Sequence, residues 1–180
     1  MLVVAVIGSP HAGGRTRVAV DAVLGGAVAE GAEVRVHELA DTATPDVLAA
    51  MGEADAVVFG SPTYRADIAA QLKGLLDQTP RGAAYESGDP LRGTVCATVL
   101  TGASDHHFLA VEKVRGILGG FFGAQLLSPG LYLAAGAFTD GGKALTDDAG
   151  GLADRHGRAL VELATAVRAS TWLRDLRPLV

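Results

Sequence analysis

Leu2-Val3-Val4-Ala5-Val6-Ile7 runs directly into Gly8-Ser9-Pro10-His11-Ala12-Gly13-Gly14-Arg15-Thr16-Arg17. An apolar run with no polar alternation describes a strand covered on both faces, the pattern of a parallel sheet. The small residues behind it open a helix, where free backbone N–H groups and hydroxyls favour an anion. A second junction repeats the design, with Ala56-Val57-Val58-Phe59 leading into Gly60-Ser61-Pro62-Thr63-Tyr64-Arg65. In open parallel sheets ligands bind beyond the carboxyl ends of the strands, where the strand order reverses.

Working outward, strands and helices alternate along the chain. Arg15 to Glu30 reads as a helix stopped by Gly31. Val34-Arg35-Val36-His37 alternates apolar and polar, as a more peripheral second strand does. Pro45 suits the first position of a helix over Asp46–Gly52. The strand at Ala56–Phe59 and the second loop lead to a helix from Ile68 to Gln78, which buries Ile68, Leu72, Leu75 and Leu76. A polar connection from Pro80 to Gly93 precedes a fourth strand, Thr94–Leu100. Thr101-Gly102-Ala103-Ser104-Asp105 then forms a third small-residue loop, with Asp105 placed to cap a helix from His106 to Phe122. A fifth strand over Gly130–Ala135, a Gly/Asp-rich loop over Gly136–Gly151 and a last helix over Leu152–Arg168 complete the pattern. This order predicts an α/β, flavodoxin-like three-layer sandwich, with a five-stranded parallel sheet in the order 2-1-3-4-5. Residues 1–180 read as a single domain without internal repeats.

Composition narrows the classes. Hydrophobic residues make up 49% and charged residues 19%, which is globular rather than disordered. A formal net charge of −5 argues against nucleic acid as a partner. No apolar run approaches membrane-spanning length, and the N-terminus lacks a basic leader, so a cytoplasmic location is expected. The single cysteine, Cys96, lies in the fourth strand as a core filler, and one thiol excludes an iron–sulfur flavoprotein.

The loops select the ligand. A dinucleotide fingerprint requires glycine two residues after Gly8, but Pro10 stands there. Gly8 and Gly13 have Walker A spacing, yet Gly14 replaces the lysine that reaches the β- and γ-phosphates. Ser9, Gly13, Gly14, Arg15 and Thr16 remain, a set able to cradle one terminal phosphate by hydroxyls, N–H groups and the helix dipole. Flavin mononucleotide (FMN) carries one such phosphate and needs no metal. A tight turn with a helix cap draws on the same residues. Pro62 and Tyr64 suit the face of a flat ring, and the N–H groups of Thr63 and Tyr64 suit its polar edge. Tyr64 packed over the sheet edge is the plainer reading. Thr101-Gly102-Ala103-Ser104 would close the other side, with Gly102 allowing close backbone approach.

Three stretches together resemble the NAD(P)H-dependent FMN reductases, and most closely the sulfonate-utilisation branch that feeds reduced flavin to a separate monooxygenase. They are Gly8-Ser9-Pro10; Pro62-Thr63-Tyr64 with Gln71-Leu72-Lys73-Gly74-Leu75-Leu76-Asp77; and Thr101-Gly102-Ala103-Ser104 with His107-Phe108-Leu109-Ala110-Val111. The resemblance implies that Ser9, Arg15 and Thr16 hold the flavin phosphate, with Arg17 at the end of that loop a further cofactor-binding candidate. It implies that Pro62, Thr63, Tyr64 and Arg65 surround the ring, with Thr101, Gly102 and Ala103 opposite and His107 nearby. Where the family usually has Arg and Ser, this chain has His11 and Gly14, which lightens the grip on phosphate; His11 contributes only when protonated. Lys113 stands where that branch often carries Tyr, so behaviour depending on the tyrosine does not transfer.

Hydride transfer between NADH or NADPH and a flavin requires alignment rather than an acid or base, so no catalytic side chain is assigned. Arg15 and Arg65 are candidates for nicotinamide nucleotide phosphates. His106 and His107 point in different directions from a helix start, and no Cys or further His completes a metal site. The expected helix over 106–122 contains Gly116, Gly119 and Gly120, each costing up to about 1 kcal/mol relative to Ala. Its apolar residues spread over more than one face, which points to burial against a second subunit in a homodimer or homotetramer, the alternative being a helix tightly covered by its own chain. Two other readings share the fold: a reductase of quinones or azo compounds that keeps its FMN, and a flavodoxin-like electron carrier without a pyridine nucleotide site.

Overall fold

The direction of successive side chains along the first strand decides the layering. In the computed structural model, which describes residues 1–83 and 86–176, the elements run β1 (Leu2–Ile7), α1 (Arg15–Ala29), β2 (Glu33–Glu38), α2 (Thr44–Glu53), β3 (Ala56–Tyr64), β4 (Asp67–Ile68) and α3 (Ala70–Gln78). They continue with β5 (Val95–Thr101), α4 (Ala110–Arg115), β6 (Gln125–Leu126), β7 (Leu131–Leu133), β8 (Phe138–Thr139), β9 (Ala144–Leu145), α5 (Asp147–Ala169) and α6 (Thr171–Asp175). Val3, Ala5 and Ile7 face a layer closed by α1 and α5. Val4 and Val6 face the opposite layer, closed by α2, α3 and α4. Ala84 and Tyr85, within the connection expected at 80–93, and residues 177–180 lie outside the described residues.

The sheet order is β2-β1-β3-β5, and β5 is flanked in turn by β6 and β7. All these pairings are parallel. The expected order therefore holds, but the fifth strand is two pieces: β6 lies opposite Val95–Cys96 and β7 opposite Val99–Thr101. Pro129 in the gap has no N–H to offer a ladder. Arg115 fills the gap from α4, donating through Nη1 to Leu127 O at 2.8 Å and through Nη2 to Ser128 Oγ at 2.9 Å.

β3 departs from the expectation of a strand ending at Phe59. Gly60, Ser61 and Pro62 stay in register with Val99, Leu100 and Thr101, and Thr63-Tyr64 then turns back as an antiparallel hairpin with β4. The helix expected at 106–122 is also not uniform. It consists of a 3-10 turn (Asp105–His107), α4 and a π-helical turn (Gly116–Phe121) closed by Phe122 N donating to Ile117 O. Three weak helix formers in that last stretch leave its ladder free to widen. Asp105 is inside the 3-10 turn rather than capping it, and Ser104 takes the cap position. The expected loop at 136–151 contains the β8–β9 hairpin, and α5 starts early, at Asp147. Thr146 Oγ1 accepts from Ala149 N there, and two aspartates sit in the first turn, where the dipole favours them.

α1 and α5 cross at glycines. A Cβ at Gly26 would overlap the Asp154 carbonyl, and one at Gly157 would overlap the Val23 carbonyl. The two backbones therefore approach with no side chain between them, which fixes α1 on the sheet and its N-terminus at the strand ends.

Candidate functional site

β1, β3 and β5 end together, and the three loops predicted from sequence meet there. Gly8 N donates to Gly60 O at 2.8 Å, so the first and second junctions are joined by a backbone hydrogen bond. Pro62 lies in register with Thr101, which places the second and third loops side by side. Thr16 and Thr101 share a buried hydroxyl–hydroxyl hydrogen bond of 2.8 Å, which ties the third loop to α1.

The first loop is an open turn. Gly13 has φ +71°, and a Cβ at Gly13 or Gly14 would meet empty space. α1 has 15 residues, Gly14 at its cap without a side-chain cap, and no acidic residue in its first turn. The first-turn N–H groups at Arg15, Thr16 and Arg17 therefore lack intrahelical acceptors and are available to an anion. Ser9 Oγ accepts from His11 N at 3.3 Å, and His11 is exposed. Arg15 lies 5.7 Å from the ring centroid of Phe138 on β8, a cation–π distance that leaves its charge in place.

Two of the predicted residues are committed elsewhere. Arg17 is bound by Asp21 and by Glu38, at 2.8 and 2.9 Å, and both bonds raise its pKa further. Thr16 offers its N–H rather than its hydroxyl, which Thr101 holds. Glu38, at the end of β2, also accepts from Gly13 N at 3.0 Å. Sequence reasoning missed Glu38, because a strand-end carboxylate shows nothing local of its partner 25 residues away. It steadies the loop, and it withdraws one N–H and one guanidinium from any anion above.

The second loop is strained. Arg65 and Ala66 both have positive φ, +52° and +60°, which makes the hairpin tip of a kind usually given to Asn-Gly. That tip presents Tyr64 and Arg65, both exposed. Asp67 beyond it pairs with Lys113 of α4 at 2.9 Å, and that hydrogen bond holds the Asp67 carboxyl below the ordinary aspartate range. Ser61 Oγ braces the base, accepting from Ala69 N at 2.9 Å and donating to Pro62 O at 2.8 Å. Thr63 Oγ1 is buried and faces the Tyr132 hydroxyl.

In the third loop Thr101 and Gly102 are buried, and Ala103 is exposed. The close approach expected at Gly102 exists, but its partner is this chain's own Tyr132, whose hydroxyl a Cβ at 102 would overlap. His106 and His107 are exposed in the 3-10 turn beyond Ser104. An uncapped helix start and facing loops form one edge whose free N–H groups can meet an anion.

The fold is flavodoxin-like, with the three loops converging at the sheet's carboxyl edge. The chain belongs to the NADPH-dependent FMN reductase family, whose model matches residues 1–139. It is 35% identical over 101 residues to the NADH-dependent FMN reductase SfnF of Pseudomonas putida, covering 54% of this chain and 50% of that protein. An iron–sulfur flavoprotein of Methanocaldococcus jannaschii is 31% identical over 125 residues, covering 58% of this chain and 63% of the relative. The matches thus span between half and two thirds of these relatives. Among solved structures, the apo form of the NADH:FMN oxidoreductase EMOB aligns with a TM-score of 0.78 at 20% identity, over 97% of this chain and 94% of that one. RosB with a bound formylated riboflavin phosphate aligns at 0.79 and 16% identity, over 97% and 83%. At such identities the likeness shows the fold.

The tie between first and third loops is measurable in urea unfolding. Thr16→Val strands the Thr101 hydroxyl and is expected to cost about 1–3 kcal/mol. Thr16→Val with Thr101→Val is expected to cost less than the two single changes summed; strictly additive costs would show that the hydroxyls are uncoupled.

Proposed function

We propose that the chain is an NADH- or NADPH-dependent FMN reductase that acts in the cytoplasm and passes reduced flavin to an acceptor such as a flavin-dependent monooxygenase. The observation that carries this reading is the family match over residues 1–139, a span that includes all three converging loops. The chemistry that bound FMN supplies is acceptance of a hydride from a nicotinamide.

The protein's part is to bind and orient. N–H groups at the start of α1, the Ser9 hydroxyl, Arg15 and His11 hold the phosphate. Pro62, Thr63, Tyr64 and Arg65 take one side of the ring, and Thr101, Gly102, Ala103 and Ser104 the other, with His107 at the rim. Glu38 beneath the loop repels a phosphate and occupies Gly13 N, so the hold is light. A light hold suits a flavin that leaves as product. Arg65 on the exposed hairpin tip is the cation offered to the nicotinamide nucleotide's phosphates.

Self-association belongs to the same reading. Phe108, Leu109 and Phe121 are 54%, 64% and 46% exposed. Phe121 lines a groove of about 510 Å³ between α3 and the π-helical turn, where Leu76, Ile117, Gly120 and Phe122 sit among charged Lys73, Asp77, Glu86 and Lys113. A second copy of the chain covers these exposed apolar side chains and the mixed groove beside Phe121. A Cβ at Gly120 meets nothing within 4 Å, so Gly120→Glu leaves the fold alone and charges only the face. Sedimentation is expected to show a smaller particle for that variant; an unchanged oligomer would place the contact elsewhere.

Purified protein is expected to be colourless or to lose its yellow colour on dialysis, and to oxidise NADH or NADPH only with added FMN. Tightly retained FMN without pyridine nucleotide oxidation would identify an electron carrier instead. Turnover of quinones or azo dyes on retained FMN would identify the third reading.

A further inference from the structure

Tyr132 lies in the strand expected at 130–135 and outside the three loops that the sequence marks for a ligand, yet it stands behind the second and third of them. It is the middle residue of β7, between buried Leu131 and Leu133, and in register with Leu100 of β5. Its hydroxyl donates to Ser104 O at 2.8 Å. Its ring covers Gly102, where a Cβ would lie 2.7 Å from the ring carbon that bears the hydroxyl. From the same strand Leu133 O accepts from Gly102 N at 3.1 Å. On the other side the buried Thr63 hydroxyl lies beside the phenol and interacts with it. One side chain anchored in the sheet thus touches both the second loop and the third.

Only burial and short polar contacts order residues 102–104, which follow the last residue of β5. A glycine-containing turn of this kind loses much freedom when it is fixed. Fixing it before a ligand arrives removes that cost from binding. Burial raises the Tyr132 phenol above its usual range, with the Thr63 hydroxyl pulling the other way, so the group stays a proton donor at neutral pH.

We propose that Tyr132 is a positioning residue of the flavin site, a strut that sets the spacing between Thr63 and the Gly102–Ser104 turn. The proposal rests on the flavin reading above. Tyr132 acts through the turn it holds, by hydrogen bond to Ser104 and by contact with Gly102.

The test is Tyr132→Phe, which keeps the ring and removes the hydrogen bond. Leu160→Val in α5 is the comparison, a core change remote from the loop. Amide hydrogen exchange of the ligand-free proteins reads the strut directly, and FMN fluorescence titration with visible circular dichroism of the bound flavin reads its consequence. Exchange across residues 102–105 is expected to speed up in Tyr132→Phe and not in Leu160→Val. The FMN Kd of Tyr132→Phe is expected to rise about tenfold, the worth of one hydrogen bond, with a changed flavin dichroism. Unchanged loop exchange in Tyr132→Phe overturns the strut. Faster exchange with the parent's FMN affinity and dichroism overturns its connection to the site. A parent protein that binds no FMN overturns the flavin reading itself, and the loop exchange tells that failure apart from failure of the strut.

Discussion

The hydrogen bond from Gly8 N to Gly60 O sets the geometry on which the rest of the site depends. It joins the ends of β1 and β3, the two strands from which the chain leaves for opposite sides of the sheet order. Both positions need glycine for reasons that come from the helices. A Cβ at Gly8 would press on Leu72 of α3, and one at Gly60 would press on Val20 and Thr16 of α1. The helical layers on either face therefore close onto the same pair of residues, and the loops that continue from them inherit a fixed separation.

Above that point the polar groups divide between scaffold and ligand. Thr16 with Thr101, Arg17 with Asp21 and Glu38, and Ser61 with Ala69 are satisfied within the chain. The start of α1 is not. The positive φ values of Arg65 and Ala66 add strain at the same edge, which the Ser61 and Asp67 contacts hold in place.

Much of the fold was legible because it follows from local pattern. β1 and α1 fall where the apolar run and Gly31 place them, and the sheet order follows from the alternation of elements. The extension of β3 through Gly60-Ser61-Pro62 was not legible, since those residues read as a loop until β5 lies alongside to pair with them. The hairpin tip carries no Asn-Gly signal, because tertiary contacts impose its backbone rather than local preference. The division of the fifth strand depends on Arg115 reaching across from α4. The site divides in the same way. Its three loops are visible as small-residue clusters, whereas Glu38 and Tyr132 act across 25 and 28 residues of chain and leave no local trace.

Amide hydrogen exchange with and without saturating FMN tests the central claim, that three separate loops make one flavin site. Protection is expected at residues 9–17, 62–65 and 101–104 together, with the helices on the far side of the molecule unchanged. Protection confined to one loop, or centred elsewhere while FMN is bound, would contradict it.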